Sequence, residues 1–298
     1  MRRPIVLAFV LAFGLVASAG RAAQGAFQFF VYLADAKGQP AASLNKEDVT
    51  VTEDSAGGAV ARIEPIDWPV KVDLLIDNGS GSAERLVHMR NGIKGFLEAL
   101  PLGVETAIVT TAPQPRFLVR ATTDRTALIN GIGRLAPDSG AGRFVEGLQE
   151  AVARFDKARG NYFPVVVVLA SQTADGSALR ERDLEQLFRR VADRAVTVHV
   201  VMVGSPTQSS SGGANQTQIG LAITKQSGGR YEAIAASTRL ATLLPEVGAQ
   251  VAASHVKQSH QYRVTFERPG GRSGPVGSIG MAVAAGLTPN LTLDGRMP

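Results

Sequence analysis

The stretch Val70-Lys71-Val72-Asp73-Leu74-Leu75-Ile76-Asp77-Asn78-Gly79-Ser80-Gly81-Ser82 sets the reading of the whole chain. Its first seven residues form an apolar strand pattern, and its last six a polar, glycine-containing turn. Glu84–Leu100 follows, with Leu86, Met89, Ile93, Phe96, Leu97 and Leu100 at intervals of three and four, one face of a helix. Downstream the alternation repeats. Glu105–Thr110 and Arg116–Arg120 read as strands, and Asp124–Leu135 and Phe144–Phe155 as helices. Val165–Leu169 and Val196–Val203 are β-branched runs without a polar face, the pattern of strands covered on both sides. Between them Ala178–Val191 reads as a helix capped by Ser177.

Ser205–Thr217 is small, polar and low in complexity, and is expected as a long loop. Gln218–Gln226, Arg230–Ala233 and Arg239–Ala253 then read as helix, strand and helix. Strands alternating with helices of this length predict an α/β fold: a doubly wound, mainly parallel sheet with helices on both faces, Rossmann-like. Val70–Ile76, Val165–Leu169 and Val196–Val203 are expected side by side and parallel at its centre.

This α/β domain spans residues 68–256. Before it, Phe27–Leu33, Val49–Thr52 and Ala59–Ile63 read as strands of a small β unit over residues 24–66, with a turn at Gly57-Gly58. That unit has few apolar residues for a domain of its own and needs further strands. Tyr262–Phe266 and Ser278–Val283 supply them, so residues 257–284 are expected to pack with the N-terminal unit. Residues 285–298 are expected as a flexible tail.

With 298 residues, 45% hydrophobic and 19% charged, the chain has material for a sizeable core, which excludes a largely disordered protein. It has no cysteine. That excludes a disulfide scaffold, a thiolate zinc site, an iron–sulfur cluster, a cysteine nucleophile and a lipidated cysteine anchor. The histidines, His88, His199, His255 and His260, show no metal-ligand spacing. Arg180, Arg182, Arg189 and Arg190 alternate with Glu181, Asp183 and Glu185 as on a solvated helix face, so no nucleic-acid partner is expected.

Met1-Arg2-Arg3, the apolar run Pro4–Val16 and the small residues Ala17-Ser18-Ala19 read as a secretory signal peptide over residues 1–19. The run is shorter than the ~20 residues of a spanning helix. No membrane span is expected in the mature chain. Without Arg2 and Arg3 the net charge falls from +5 to about +3. The expected location is exported: periplasmic, or secreted by a bacterium.

Leu74-Leu75-Ile76-Asp77 followed by a Gly/Ser turn and a helix resembles the opening of a von Willebrand factor type A domain. Leu44-Asn45-Lys46-Glu47-Asp48-Val49-Thr50-Val51-Thr52-Glu53-Asp54 resembles the segment that precedes such domains in secreted bacterial proteins. Gly228-Gly229-Arg230-Tyr231, and Tyr262 opening a strand after the last helix, fit the same family. The resemblance covers residues 27–268 and implies a metal-ion-dependent adhesion site: Asp-x-Ser-x-Ser, a distant Thr and a second Asp. Such a set suits a hard cation, which takes carboxylate and hydroxyl oxygens.

This chain departs from that pattern. Asp77 is in register, but Gly79 and Gly81 hold the serine positions, with Ser80 and Ser82 one step late. Gly142 falls where the Thr belongs and Ser171 where the second acid belongs. The resemblance therefore implies a degenerate site with Asp77, Ser80 and Ser82 as vestigial metal ligands. No cofactor is expected, with Mg²⁺ or Ca²⁺ the only candidates. Asp175-Gly176-Ser177 reads as a turn capping the next helix.

The function implied is an exported, non-enzymatic module for adhesion or assembly. It would bind a protein partner, without metal, through loops that carry Asp77, Asn78, Ser80, Ser82, Arg143, Ser171 and Gln172. The alternative is a hydrolase or nucleotide-binding protein on a Rossmann-like sheet. Against it, Gly79-x-Gly81 lacks a third glycine and a downstream ribose-binding acid, and Ser80 and Ser171 lack a nominated His/Asp pair.

Overall fold

The computed structural model describes residues 10–11 and 25–297, except 42, 173–174, 179, 205–210 and 284–285. The expected signal peptide lies outside the described residues apart from positions 10–11. Along the chain, β1 (Val10–Leu11), β2 (Ala26–Ala34), β3 (Thr50–Glu53) and β4 (Ala56–Pro65) come first. Then follow β5 (Val70–Ile76), α1 (Leu86–Ala99), β6 (Glu105–Thr110), β7 (Arg116–Thr122), α2 (Arg125–Gly133) and α3 (Phe144–Lys157). Next come β8 (Phe163–Ser171), α4 (Glu181–Asp193), β9 (Thr197–Val203), α5 (Ser211–Ser227), β10 (Tyr231–Ile234) and α6 (Leu240–Gln258). The chain closes with β11 (Gln261–Glu267), β12 (Ile279–Ala282) and β13 (Thr288–Thr292). It divides into one compact unit of residues 69–255 and a second made from the segments on either side.

The larger unit is built on a six-stranded sheet in the order β10-β9-β8-β5-β6-β7. The expected centre is present: β5 pairs parallel with β8, and β8 parallel with β9. β8 is buried along its whole length, as a strand apolar on both faces must be. One edge departs from the parallel pattern, because β7 returns antiparallel on β6. On one face α3 and α4 pack Phe144, Leu148, Val152, Leu187 and Val191 against Val166, Val168 and Val198. The alternate residues Val165, Val167 and Leu169 point to the opposite face and are also buried. There α1 and α6 meet at glycines: a Cβ on Gly92 would lie 2.5 Å from the Leu240 carbonyl oxygen, and one on Gly248 2.7 Å from that of Phe96.

Two helix starts differ from expectation. α4 begins at Glu181, and Ser177 does not cap it. The Ser177 hydroxyl instead accepts the Val145 amide 3.0 Å away, at the start of α3. α5 begins at Ser211, so the expected polar loop over 205–217 is helical from residue 211, and residues 205–210 lie outside the described residues. Two positions on its inner face, Gln216 and Ile223, are buried, and that packing overrides the poor helix propensity of the Ser/Gly/Asn segment. Gly228, at a φ of +73°, ends α5 where the sequence predicts a stop.

The smaller unit is antiparallel, with strand order β1-β12-β3-β4-β11-β2-β13. The long strand β4 pairs first with β3 and then with β11, and so serves both halves of the sheet. Phe29, Val31, Leu33, Val51, Val264, Phe266, Ile279 and Met281 form its core, alternating along their strands with outward residues. Phe266 meets Phe27 and Phe29 edge to face, with centroids 6.0 Å apart in each pair.

Ser278–Val283 contributes β12, paired with β3. The tight turn falls at Asp54-Ser55, both at positive φ, rather than at Gly57-Gly58. Asp tolerates that conformation, and its carboxylate is held by the Ser278 amide at 2.9 Å. Gly58 instead lies inside β4, where a Cβ would come 2.5 Å from the Glu267 carbonyl oxygen. The expected tail over 285–298 is also corrected. Thr288–Thr292 pairs with β2 as an edge strand, held by backbone bonds that its polar sequence does not advertise.

Candidate functional site

The chain runs from β5 outward to β6 and β7, then returns to place β8 on the other side of β5. The strand order therefore switches between β5 and β8, and the loops leaving their carboxyl ends open a crevice there. Asp77 leaves β5 and Ser171 ends β8, so the sequence-nominated pair meets at the switch.

The meeting is a closed one. Asp77 is 4% exposed. Its Oδ1 accepts the Gly79 amide at 2.9 Å. Its Oδ2 accepts the Ser171 amide at 3.3 Å and the Ser171 hydroxyl as well. Gly142 lies against the same carboxylate: a Cβ there would fall 2.4 Å from Oδ1 and 2.7 Å from Cγ. Gly79 is equally confined, its Cβ position lying 2.8 Å from the Gly140 carbonyl oxygen. Two of the three glycines that break the adhesion-site pattern, Gly79 and Gly142, are thus residues that let the loops close.

Further hydrogen bonds join the loops to one another. Asn78 donates to the Ala136 carbonyl at 2.9 Å and accepts the Ala112 amide at 3.2 Å. The Ser80 amide donates to the Gly140 carbonyl at 2.9 Å, and the Gly176 amide to that of Gly142 at 2.8 Å. Gln172 is buried, and its amide donates to the Val203 carbonyl at 3.0 Å. Ser80 is exposed, whereas Ser82 is buried with no partner for its hydroxyl; neither bonds Asp77.

Asp175 and Ser177 serve α3 rather than the helix that follows them. Asp175 Oδ1 accepts the Phe144 amide at 3.2 Å, while Ser177 takes that of Val145. Burial pushes the Asp175 carboxyl up, against the pull of those bonds. Burial also acts to raise Glu146, but the Ala178 amide, the Ser177 hydroxyl and Arg143 together outweigh it and hold its carboxyl low. The roles of Gly142, Asp175 and Ser177 are not legible along the chain. The one signal for Gly142 is its place opposite Asp77 in the expected pattern.

A hard cation needs several oxygens with free lone pairs converging on one point. Here the Asp77 oxygens are engaged by three donors, Gly142 closes one side, and Ser80 and Ser82 do not converge. Among the described residues no group of three His, Asp or Glu side chains could hold a metal. These residues do not fit a divalent cation.

His199, the histidine of the α/β sheet, does not lie beside Ser171. His199 pairs in register with Val167, four residues along β8 from Ser171, a distance of about 13 Å. Its Nδ1 accepts the Arg230 amide at 3.1 Å, and burial, helped by Arg230, pushes its pKa down to about 4.

Residues 74–176 match the profile of the von Willebrand factor type A domain. Over that stretch, about a third of the chain, the sequence is similar to a von Willebrand factor type A domain. A protein described as von Willebrand factor type A from Catenulispora acidiphila superposes with a TM-score of 0.50 at 13% identity, over 91% of this chain and 75% of that one. BatB from Bacteroides thetaiotaomicron gives 0.48 at 16% identity, over 63% and 100%. An aerotolerance-related membrane protein from Bacteroides fragilis gives 0.46 at 14%, over 61% and 99%. A comparison with curated proteins gives no match. At such identities the likeness is one of fold, and the matched residues lie within the α/β unit described above. No helix among the described residues is long and apolar enough to cross a membrane.

Proposed function

We propose that this protein is an exported, non-enzymatic module that holds a protein partner on the loops at the carboxyl ends of β5, β6 and β8, without a divalent cation. Domains of this type are commonly protein-interaction modules. The observation that carries the reading is the closure of the Asp77 carboxylate by Gly79, Gly142 and Ser171. It turns a crevice into a fixed surface, with Ser80 exposed upon it. A surface ordered before binding loses little entropy when a partner docks.

The test uses the tagged chain with a photo-crosslinking residue at Ser80, in native envelope extract with Mg²⁺ or with chelator. Leu102, 88% exposed and preceding β6 at the amino-terminal end of the sheet, is the control position. A discrete crosslinked partner from Ser80, absent from Leu102 and indifferent to chelator, supports the reading. Crosslinking equal at both positions, or abolished by chelator, refutes it. N-terminal sequencing of the envelope form tests export, with loss of residues 1–19 expected and an intact Met1 contradicting it.

A further inference from the structure

One edge of the smaller unit's sheet is held by a strand that export would remove. β1 lies antiparallel on β12, with Val10 opposite Gly280 and Leu11 opposite Ile279. On its other side β12 pairs with β3. Residues 10–11 fall inside the expected leader over 1–19. Their loss leaves β12 as the end strand, with a row of backbone amides and carbonyls unpaired.

Sheet edges are ordinarily guarded by charge or by proline. The other end strands of the two sheets follow that rule: β7 carries Arg116 and Arg120, β10 Glu232, and β13 Pro289. Ser278–Val283 has neither a charge nor a proline. Ile279 and Met281 enter the core, so Gly280 and Ala282 stand on the outer face with little to shield the edge. Beside them Asp54 is spent on the Ser278 amide at 2.9 Å and on Arg272 at 3.6 Å.

The pairing with β1 also shows what can replace it, an antiparallel neighbour across Ile279 and Gly280. A second copy of β12, turned about a two-fold axis at Gly280, brings its own Gly280 and Met281 to the places of Val10 and Leu11. Ile279 then faces Met281 of the copy on the core side, and Ser278 faces Ala282 on the outer side. Apolar residues meet and no like charges are opposed.

We infer that the processed chain self-associates, β12 of one copy adding antiparallel to β12 of a second and joining two smaller units edge to edge. The inference rests on the loss of residues 1–19 and is independent of the partner loops of the α/β unit. Pairing through the four residues of β12 is small beside the ~1,600 Å² of a standard interface, so the dimer is weak and concentration-dependent.

The test follows the envelope form, its first residue fixed by sequencing, through sedimentation from micromolar to millimolar concentration. A monomer–dimer equilibrium is expected. Ser278→Lys with Ala282→Lys opposes like charges twice across the axis and should weaken the dimer about tenfold or more. Ser278→Glu with Ala282→Lys should restore it. Because the chain has no cysteine, small substitutions can read the register directly. A mixture of Ser278→Cys and Ala282→Cys should form a disulfide-linked dimer on mild oxidation, whereas neither variant alone should. A processed chain that stays monomeric throughout, or a dimer indifferent to the lysines, overturns the inference and leaves the export reading standing. So does crosslinking of either cysteine variant with itself as strong as in the mixture. Retention of residues 1–19 in the envelope form refutes export, and the inference falls with it.

Discussion

Gly142 lies so close to the Asp77 carboxylate that a methyl group on it would stand 2.4 Å from Oδ1. Gly142→Ala must therefore push apart the two loops that the carboxylate joins. Overpacking of this sort typically costs about 1–3 kcal/mol. Denaturant unfolding should show a loss in that range, against a change near zero for Gly133→Ala, which meets nothing within 4 Å.

Asp77 is a keystone of the loops rather than a helix cap. Asp77→Ala leaves the Gly79 and Ser171 donors buried without an acceptor and should cost about 2–4 kcal/mol. The melting temperature should be the same in millimolar Mg²⁺ or Mn²⁺ as in chelator, since a ligand well below its Kd adds only a few tenths of a kcal/mol. Calorimetry that finds micromolar cation binding, lost in Asp77→Ala, would falsify this account.

In the smaller unit Arg268 grips Glu53 through Nε at 2.9 Å and Nη2 at 2.5 Å, and both side chains are buried. The Arg268 bonds, resisted by burial and aided by the Gly277 amide, hold the Glu53 carboxyl below its ordinary value. Its contribution is therefore present above the unfolded pKa of about 4.3 and is lost as pH falls through the lower folded value. Glu53→Gln, which leaves Arg268 buried and unpaired, should cost about 3–5 kcal/mol at neutral pH. The deficit relative to wild type should shrink in acid. A deficit that does not change between pH 7 and pH 3 contradicts the assignment.

His199 gives a second acid-sensitive point. Its folded pKa of about 4 lies below the unfolded value of about 6.5, so the fold excludes a proton that the unfolded chain accepts. Stability is full above pH ~6.5 and drains as pH falls toward ~4, by about 3 kcal/mol in all. His199→Asn keeps an acceptor for the Arg230 amide and removes the titration. Between pH 7 and pH 4.5 its melting temperature should fall less than that of the wild type, and parallel profiles would rule the mechanism out.

The centre of the α/β sheet is legible in the sequence because β8 is apolar on both faces, β9 nearly so, and β5 carries an unbroken apolar face beside Lys71 and Asp73. α2 is equally plain: Asp124 stands before its first turn and accepts the amides of Thr126 and Ala127, as an N-cap should. What escapes the sequence depends on neighbours distant along the chain. Ser177 looks like the cap of the helix beside it and caps α3 instead. β13 has a proline and two threonines in five residues, and it is a strand because β2 offers it backbone partners. At the site, the glycines in place of ligands are visible, but their contact with Asp77 belongs to the fold.

The pairing of β2 with β11 joins residues more than two hundred positions apart, with a whole α/β unit between them in sequence. At 5–20 residues per second, roughly 10–45 s of synthesis separate the two strands. Through that interval Phe29, Val31 and Leu33 have neither β11 nor β13 to cover them. A chain cut short before residue 261 retains every residue of the α/β unit. It would nevertheless carry an adhesive, half-made sheet, so aggregation of such fragments would report on the missing strands and not on the domain.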